Sequence, residues 1–384
     1  MPVAGQEIAI IGGGVIGCSI AYHLSKRGTK VVLIERDQLA AQASGASAGG
    51  VRQNGRDPRE MPIAIAAIQR WHTLEEELEA DCEFRMGGQL LVTEDHALIP
   101  EIERMIAGQR ALGLDLRFVE GAELRELSPG LAPSITAGLY TDDDGQASAP
   151  LTTRAFAAAA ERLGARILTG TTVTGIQTAS GHVTGLETTA GPISCDWLVL
   201  AAGAWSPGLA QQLGITLPIE TMALQMMATG PAEPILKQTV GALNRRLSLK
   251  QVPNGSFVIG GGWPGDANLE TGIGTTRMES IRGSIEHSTA VFPSLAKLPL
   301  ARSWIGIEAQ ALDEVPILGP APGFANLTLA TGFSGHGFAL SPKIGQLLSE
   351  QIIDGVPSIP IDAFDLRRFD GIGDEARFPD WQAG

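Results

Sequence analysis

Cysteine is scarce: three residues in 384, at Cys18, Cys82 and Cys195. Their scatter offers neither a C-x-x-C metal site nor a disulfide framework. Each reads as a small apolar core residue, in a chain expected to reside in a reducing cytoplasm. Cations are short as well, with 28 Lys and Arg against 42 Asp and Glu, for a formal net charge of −14. A surface of that sign repels phosphate backbones and anionic lipid, which argues against nucleic acid and membrane-surface partners. No apolar run approaches the roughly 18 residues of a membrane span. The apolar stretch Ile8–Leu24 follows Glu7 rather than a basic region and is broken by four glycines, so an export signal is rejected. H-E-x-x-H and Walker A motifs are missing, which removes zinc-peptidase and P-loop chemistry.

Glycine, by contrast, is abundant at 48 residues, well above the roughly 7% of average chains. The excess predicts tight turns and close approaches of backbone to a ligand. Hydrophobic residues at 44% and charged residues at 18% describe an ordinary globular chain, long enough for two domains or more.

The order of elements opens β-α-β: an apolar strand Glu7–Ile11, a helix Val15–Arg27 and a strand Lys30–Glu35. A polar, small-residue loop spans Gln42–Arg59. Met61, Ile65, Ile68, Leu74 and Leu78 recur at helical spacing over Met61–Ala80. A strand near Gln89–Thr93, a helix near Ile99–Leu112 and strands near Leu116–Val119 and Ala137–Tyr140 follow. Asp142-Asp143-Asp144-Gly145 reads as a solvated turn; a calcium loop is rejected because no downstream Glu completes it. A helix to Leu163 and strands near Ile167–Gln177, Val183–Thr188 and Trp197–Ala202 come next. Residues 219–302 read as mostly β around one helix, Thr276–Val291. The chain closes with strands Ser303–Ile307 and Leu327–Ala330 and a helix Pro342–Ile353. Ser341-Pro342 reads as that helix's N-cap and first residue.

Between the first strand and helix, Gly12-Gly13-Gly14-Val15-Ile16-Gly17 sets Gly12, Gly14 and Gly17 as G-x-G-x-x-G. The first glycine permits the turn, the second lets backbone approach a pyrophosphate, and the third lets helix and strand pack closely. The helix N-terminus attracts the phosphates. Glu35 closes the second strand, where a carboxylate can bond ribose hydroxyls. NAD and FAD proteins share this fingerprint.

Three later features narrow the choice. Ser44-Gly45-Ala46-Ser47-Ala48-Gly49-Gly50 is a run of small residues against which a flat ring can lie. Leu198–Ser206 is a buried strand ending in Ala201-Ala202-Gly203-Ala204-Trp205. Gly332–Phe338 (G-F-S-G-H-G-F) stands near the end, after Pro316-Ile317-Leu318-Gly319. With these residues the chain resembles the D-amino-acid oxidase-like superfamily of FAD proteins over nearly its whole length. That group includes glycine oxidase, the sarcosine oxidases, hydrogen cyanide synthase subunits, and β subunits of proline, hydroxyproline and opine dehydrogenases.

The resemblance implies an α/β fold: a Rossmann-like FAD-binding domain of the glutathione-reductase type with an inserted β-rich α+β substrate domain. The FAD domain would take residues 1–84, 147–222 and 304–384, and the substrate domain 85–146 and 223–303. Non-covalent FAD would lie on Gly12, Gly14, Val15, Ile16, Gly17, Glu35 and Arg36, and on the loop residues Ser44, Ser47, Ala48, Gly49 and Gly50. Val173 would pack near the adenine end, and Ala202, Gly203 and Trp205 would also contact the cofactor. Gly335, His336, Gly337 and Phe338 would meet the flavin, with backbone N–H groups of the first three stabilising the reduced ring.

For the substrate, relatives carry a carboxylate-binding arginine shortly after a W-x-G motif. Here Trp304-Ile305-Gly306-Ile307-Glu308 puts Glu308 in its place, a departure from the glycine oxidase pattern. Arg52 either holds the substrate carboxylate instead, or neutralises flavin or an acid. Lys250 either stands over the flavin, as in relatives that reduce O2, or is a solvated lysine. His336 either orients substrate or serves structure. The expected reaction is FAD-dependent hydride removal from an amino acid or N-substituted amino acid, a small-molecule amine. The alternatives are a 2-hydroxy acid donor, or a β-type subunit passing electrons to partner subunits, which Leu224-Gln225-Met226-Met227 resembles.

Overall fold

The computed structural model describes residues 7–372 and 377–378; the outer ends of the expected FAD domain (1–6, 373–376 and 379–384) lie outside them. Two large sheets organise the chain. The first has six strands in the order Ile317–Pro320, Leu327–Thr331, Trp197–Leu200, Glu7–Ile11, Lys30–Ile34 and Arg166–Leu168. All neighbours are parallel except Ile317–Pro320, which is antiparallel to Leu327–Thr331. A parallel sheet is buried on both faces, which is why its strands read as continuous apolar runs rather than alternating ones. Ile8, Ile10, Leu33 and Val199 pack on helices Val15–Lys26, Met61–Leu78, Ala149–Arg162 and Gly337–Asp354. Ala9, Ile11, Val32 and Leu200 pack on the opposite side against Val183, Leu186 and Ala210.

The second sheet has eight strands: Leu300–Ala311, Ile219–Pro231, Ser256–Gly260, Ser248–Gln251, Thr239–Ala242, Gln89–Thr93, Ala137–Thr141 and Arg117–Glu120. Only Thr239–Ala242 and Gln89–Thr93 pair in parallel. Leu90, Tyr140, Leu249 and Phe257 form one of its faces, under Val291 of helix Met278–Val291. The expected domain cuts at 222/223 and 303/304 fall inside single strands, Ile219–Pro231 and Leu300–Ala311. Ile219 packs on the first sheet's core and, with Ala204, Ile307 and Ala309, forms a small cluster beside it, from which the two paired strands run on into the second sheet.

Three local expectations need correction. The last helix begins at Gly337, so Pro342 lies inside it and Ser341 is not its N-cap. Pro342 has no N–H for the carbonyl of Phe338; the Ser341 hydroxyl donates to that oxygen instead, at 2.8 Å. The region Ile167–Gln177 is two strands in different sheets, Arg166–Leu168 and Val173–Ala179. Asp144 is no solvated turn residue: it is fully buried. Its carboxylate accepts the N–H groups of Gln53 at 2.9 Å and Asn54 at 3.4 Å, tying the small-residue segment to the substrate sheet. Desolvation pushes it up to about 6.

Candidate active site

A cavity of about 410 Å³ runs from the C-terminal ends of strands Glu7–Ile11, Lys30–Ile34 and Trp197–Leu200 to the last helix. At one end the chain turns through Gly12, at φ +116°, where a Cβ would lie 2.3 Å from the Ala201 carbonyl oxygen. A Cβ on Gly17 would meet the Gly12 oxygen at 2.0 Å. Both glycines are therefore demanded by backbone packing. Gly14 differs: a Cβ there would have one neighbour within 4 Å, Ser44 Oγ at 3.2 Å, and the residue faces the cavity. Gly14 is the N-cap of the helix Val15–Lys26 and has no side chain with which to cap it. Ser44 accepts the Val15 N–H at 2.9 Å and so fastens the small-residue loop to the helix start.

Glu35 lines the cavity and accepts the N–H groups of Gly13 at 2.6 Å and Asp37 at 2.7 Å. Its carboxylate is thereby held rigid beside the glycine turn. Arg36 lies over the Trp205 ring, 4.3 Å from its centroid. Trp205 donates to the Leu269 carbonyl at 2.8 Å, and Gln42 to that of Gly272 at 3.1 Å. Ser47, Val173, Ala202 and Gly203 also line the cavity. A helix N-terminus, an open glycine and a fixed carboxylate at one end, with apolar and backbone walls beyond, fit a dinucleotide.

At the other end the lining is Ile307, Glu308, Ala309, Phe333, Ser334, Gly335, Gly337 and Phe338. Gly335 donates its N–H to the Glu308 carboxyl, and burial pushes that acid up to about 7. His336 does not line the cavity. Its N–H goes to the Phe333 carbonyl at 2.8 Å, so it is spent inside the loop and not offered to a ring as expected. Its ring Nδ1 lies 3.0 Å from Glu60 Oε2, and burial beside Arg56 lowers it to about 4, leaving a neutral imidazole.

Ala48, Gly49, Gly50, Arg52 and Lys250 also lie outside the lining. Lys250 is buried rather than solvated: Nζ donates to the Ala147 carbonyl at 3.3 Å and would lie 2.6 Å from a Cβ on Gly49. Desolvation lowers it to about 8. Arg52 is half-buried, and desolvation lowers it too, against the pull of Asp144 and Glu60. Its carbonyl accepts two bonds from Arg56, at 3.3 and 3.2 Å.

Sequence reasoning missed Arg56 and Glu60, both buried. A signal existed for Glu60, since Glu60, Ala64, Ala67, Ile68 and Trp71 fall on one helical stripe that turns inward. Arg56 had none.

A dinucleotide cavity on a parallel sheet, walled by the edge of a β-rich sheet, defines a two-part flavoprotein oxidoreductase. Comparison with known proteins agrees. The family model for the FAD dependent oxidoreductases (DAO) matches residues 7–351, and the chain belongs to that family of FAD-dependent amino-acid oxidases and dehydrogenases. It is 28% identical to a glycine oxidase of Geobacillus kaustophilus, over 95% of this chain and 97% of that one. It is equally 28% identical to a sarcosine oxidase subunit beta of Rhodobacter capsulatus, over 96% and 89%. In structure it resembles an L-proline dehydrogenase from P. horikoshii, with a TM-score of 0.89, 28% identity, and 95% and 97% coverage. Among the described residues no helix is long and apolar enough to cross a membrane.

With FAD as the cofactor, Glu35→Ala is expected to weaken its retention by about 1.5–3 kcal/mol, the worth of one charge-assisted bond. Titration of the apoprotein with FAD reads this directly. Unchanged affinity would reassign Glu35 to holding the glycine turn alone.

Proposed function

We propose that this chain oxidises an N-substituted amino acid, a secondary amine larger than glycine, at the carbon beside nitrogen. FAD, when bound, supplies the hydride acceptor at its flavin N5; the imine produced is hydrolysed by water. The protein's part is positioning and electrostatics. The observation that carries this reading is Glu308, a carboxyl on the cavity wall at the reacting end, where relatives place an arginine. An acid there repels a simple carboxylate and attracts an ammonium. Arg52 is the cation for the substrate carboxylate: it is desolvated, and no other side chain bonds its guanidinium among the described residues. Lys250, beneath Gly49, serves the side of the flavin where the electron acceptor arrives.

FAD is held without a covalent bond. All three thiols are buried and none lines the cavity; free thiols suit a cytoplasmic location. The sarcosine oxidase subunit beta relative supports a place for partner subunits. The domain cuts at 222/223 and 303/304 belong to the same proposal, with the strands Ile219–Pro231 and Leu300–Ala311 crossing from one domain to the other.

Anaerobic mixing with a panel of primary amines, secondary amines and hydroxy acids tests the reading. Secondary-amine amino acids should bleach the flavin absorbance fastest. Arg52→Lys should raise the substrate constant about tenfold or more, because a point charge cannot reproduce a two-pronged contact. Bleaching by hydroxy acids alone would overturn the proposal.

A further inference from the structure

Glu308 has one fixed bond, from the Gly335 N–H, and otherwise borders the cavity. The elements around it bring no ionised side chain to bear. The strand Ile219–Pro231 sets Met222 opposite it, and the short helix Ala43–Ala46 carries no charge. On the last loop, Phe333 and Ser334 are neutral, and His336 turns its ring to Glu60. Desolvation and the Gly335 N–H are all that perturb the carboxyl. A carboxylate with no cation partner, facing a cavity, awaits a cationic ligand.

An amine of ordinary basicity reaches the site as an ammonium. An ammonium has no lone pair, so it cannot release a hydride from the neighbouring carbon; one proton must leave first. Resting on the amine reading above, we propose that Glu308 is the base that removes this proton and so selects and activates the substrate. One N–H bond breaks and its electron pair stays on nitrogen as the lone pair. One O–H bond forms on the carboxylate, and nothing is oxidised in this step. The proton later returns to solvent. A carboxyl poised at about 7 suits this role, being ionised often enough to accept the proton and basic enough to hold it.

The test is Glu308→Gln, which keeps shape and removes the base. Anaerobic bleaching would be followed from pH 5 to 10 with two substrates: an N-methyl amino acid, and its N-trifluoroethyl counterpart, whose ammonium is far more acidic. The variant should bleach at least 100-fold more slowly at pH 7 with the N-methyl substrate and recover as the pH approaches that of the free amine. With the trifluoroethyl substrate it should stay within threefold of wild type. A second readout needs neither cofactor nor substrate. The folded Glu308 holds its proton above the unfolded pKa, so wild-type stability falls as pH rises from about 4.5 to about 7. The glutamine variant lacks this fall, so apoprotein melting midpoints should diverge in its favour over that window.

A constant gap between the midpoints would show that Glu308 does not titrate there, and the inference would fail. Equal rates and pH profiles for both proteins with both substrates would overturn it as well. If hydroxy acids but no amine bleached the wild-type flavin, the amine reading itself would fall, and this inference with it.

Discussion

Gly14→Val is expected to fold and to be colourless. Wild-type protein should carry about one FAD per chain, and the variant none. The structure separates the three glycines of the fingerprint by what a side chain would strike. At Gly12 and Gly17 a Cβ would run into backbone oxygens, at 2.3 and 2.0 Å, so substitution there breaks the strand–helix junction itself. At Gly14 a Cβ meets only the Ser44 hydroxyl at 3.2 Å and otherwise projects where a pyrophosphate approaches. Gly14→Val should therefore keep a melting midpoint near that of wild-type apoprotein, whereas Gly17→Val should melt early or fail to fold. Flavin absorbance per chain and apoprotein melting together make the check. A yellow Gly14→Val protein with normal FAD content would remove the turn from the cofactor site.

Glu60→Ala is expected to cost about 3–5 kcal/mol of stability, the usual price of removing one partner from a buried charged group. Glu60 is fully buried. Its Oε2 meets His336 at 3.0 Å, and its charge acts favourably on the buried Arg56. One guanidinium nitrogen of Arg56 and the second Glu60 oxygen have no bonding partner among the described residues, so the pair is held mainly by long-range attraction. Alanine would leave Arg56 with Asp144 as its remaining counter-charge and the His336 ring N–H without an acceptor. Glu60→Gln, which keeps an acceptor, should cost less. Adding Arg56→Met should recover part of the loss, because the uncompensated cation disappears. Denaturant melts of the apoproteins give all of these values. A Glu60→Ala variant within about 0.5 kcal/mol of wild type, the range of an ordinary surface change, would show that the cluster is hydrated rather than buried.

The amino-acid order alone determined the dinucleotide end. The strand Glu7–Ile11, the glycine turn, the helix and Glu35 lie within 30 residues of one another, and local backbone rules fix their geometry. The run Ser44–Gly50 and the later Ala201–Trp205 and Gly332–Phe338 were legible in the same way, since glycine and small residues declare where backbone must approach something. Glu308 stood out as well, as an acid after Trp304-Ile305-Gly306, where the resemblance implied an arginine. Tertiary structure decided whatever depends on distant segments. Lys250 reads either as a lysine over the flavin or as a solvated one until the eight-stranded sheet buries it beneath Gly49. Asp144 reads as a solvated turn until the N–H groups of Gln53 and Asn54 close on it. His336 reads as a ring-facing donor until its own loop takes its N–H and Glu60 takes its side chain. A charged side chain's environment is set by what the fold packs around it, and desolvation and pairing are properties of that packing. The sequence therefore pointed to FAD, and the fold decided which charges are buried around the cavity.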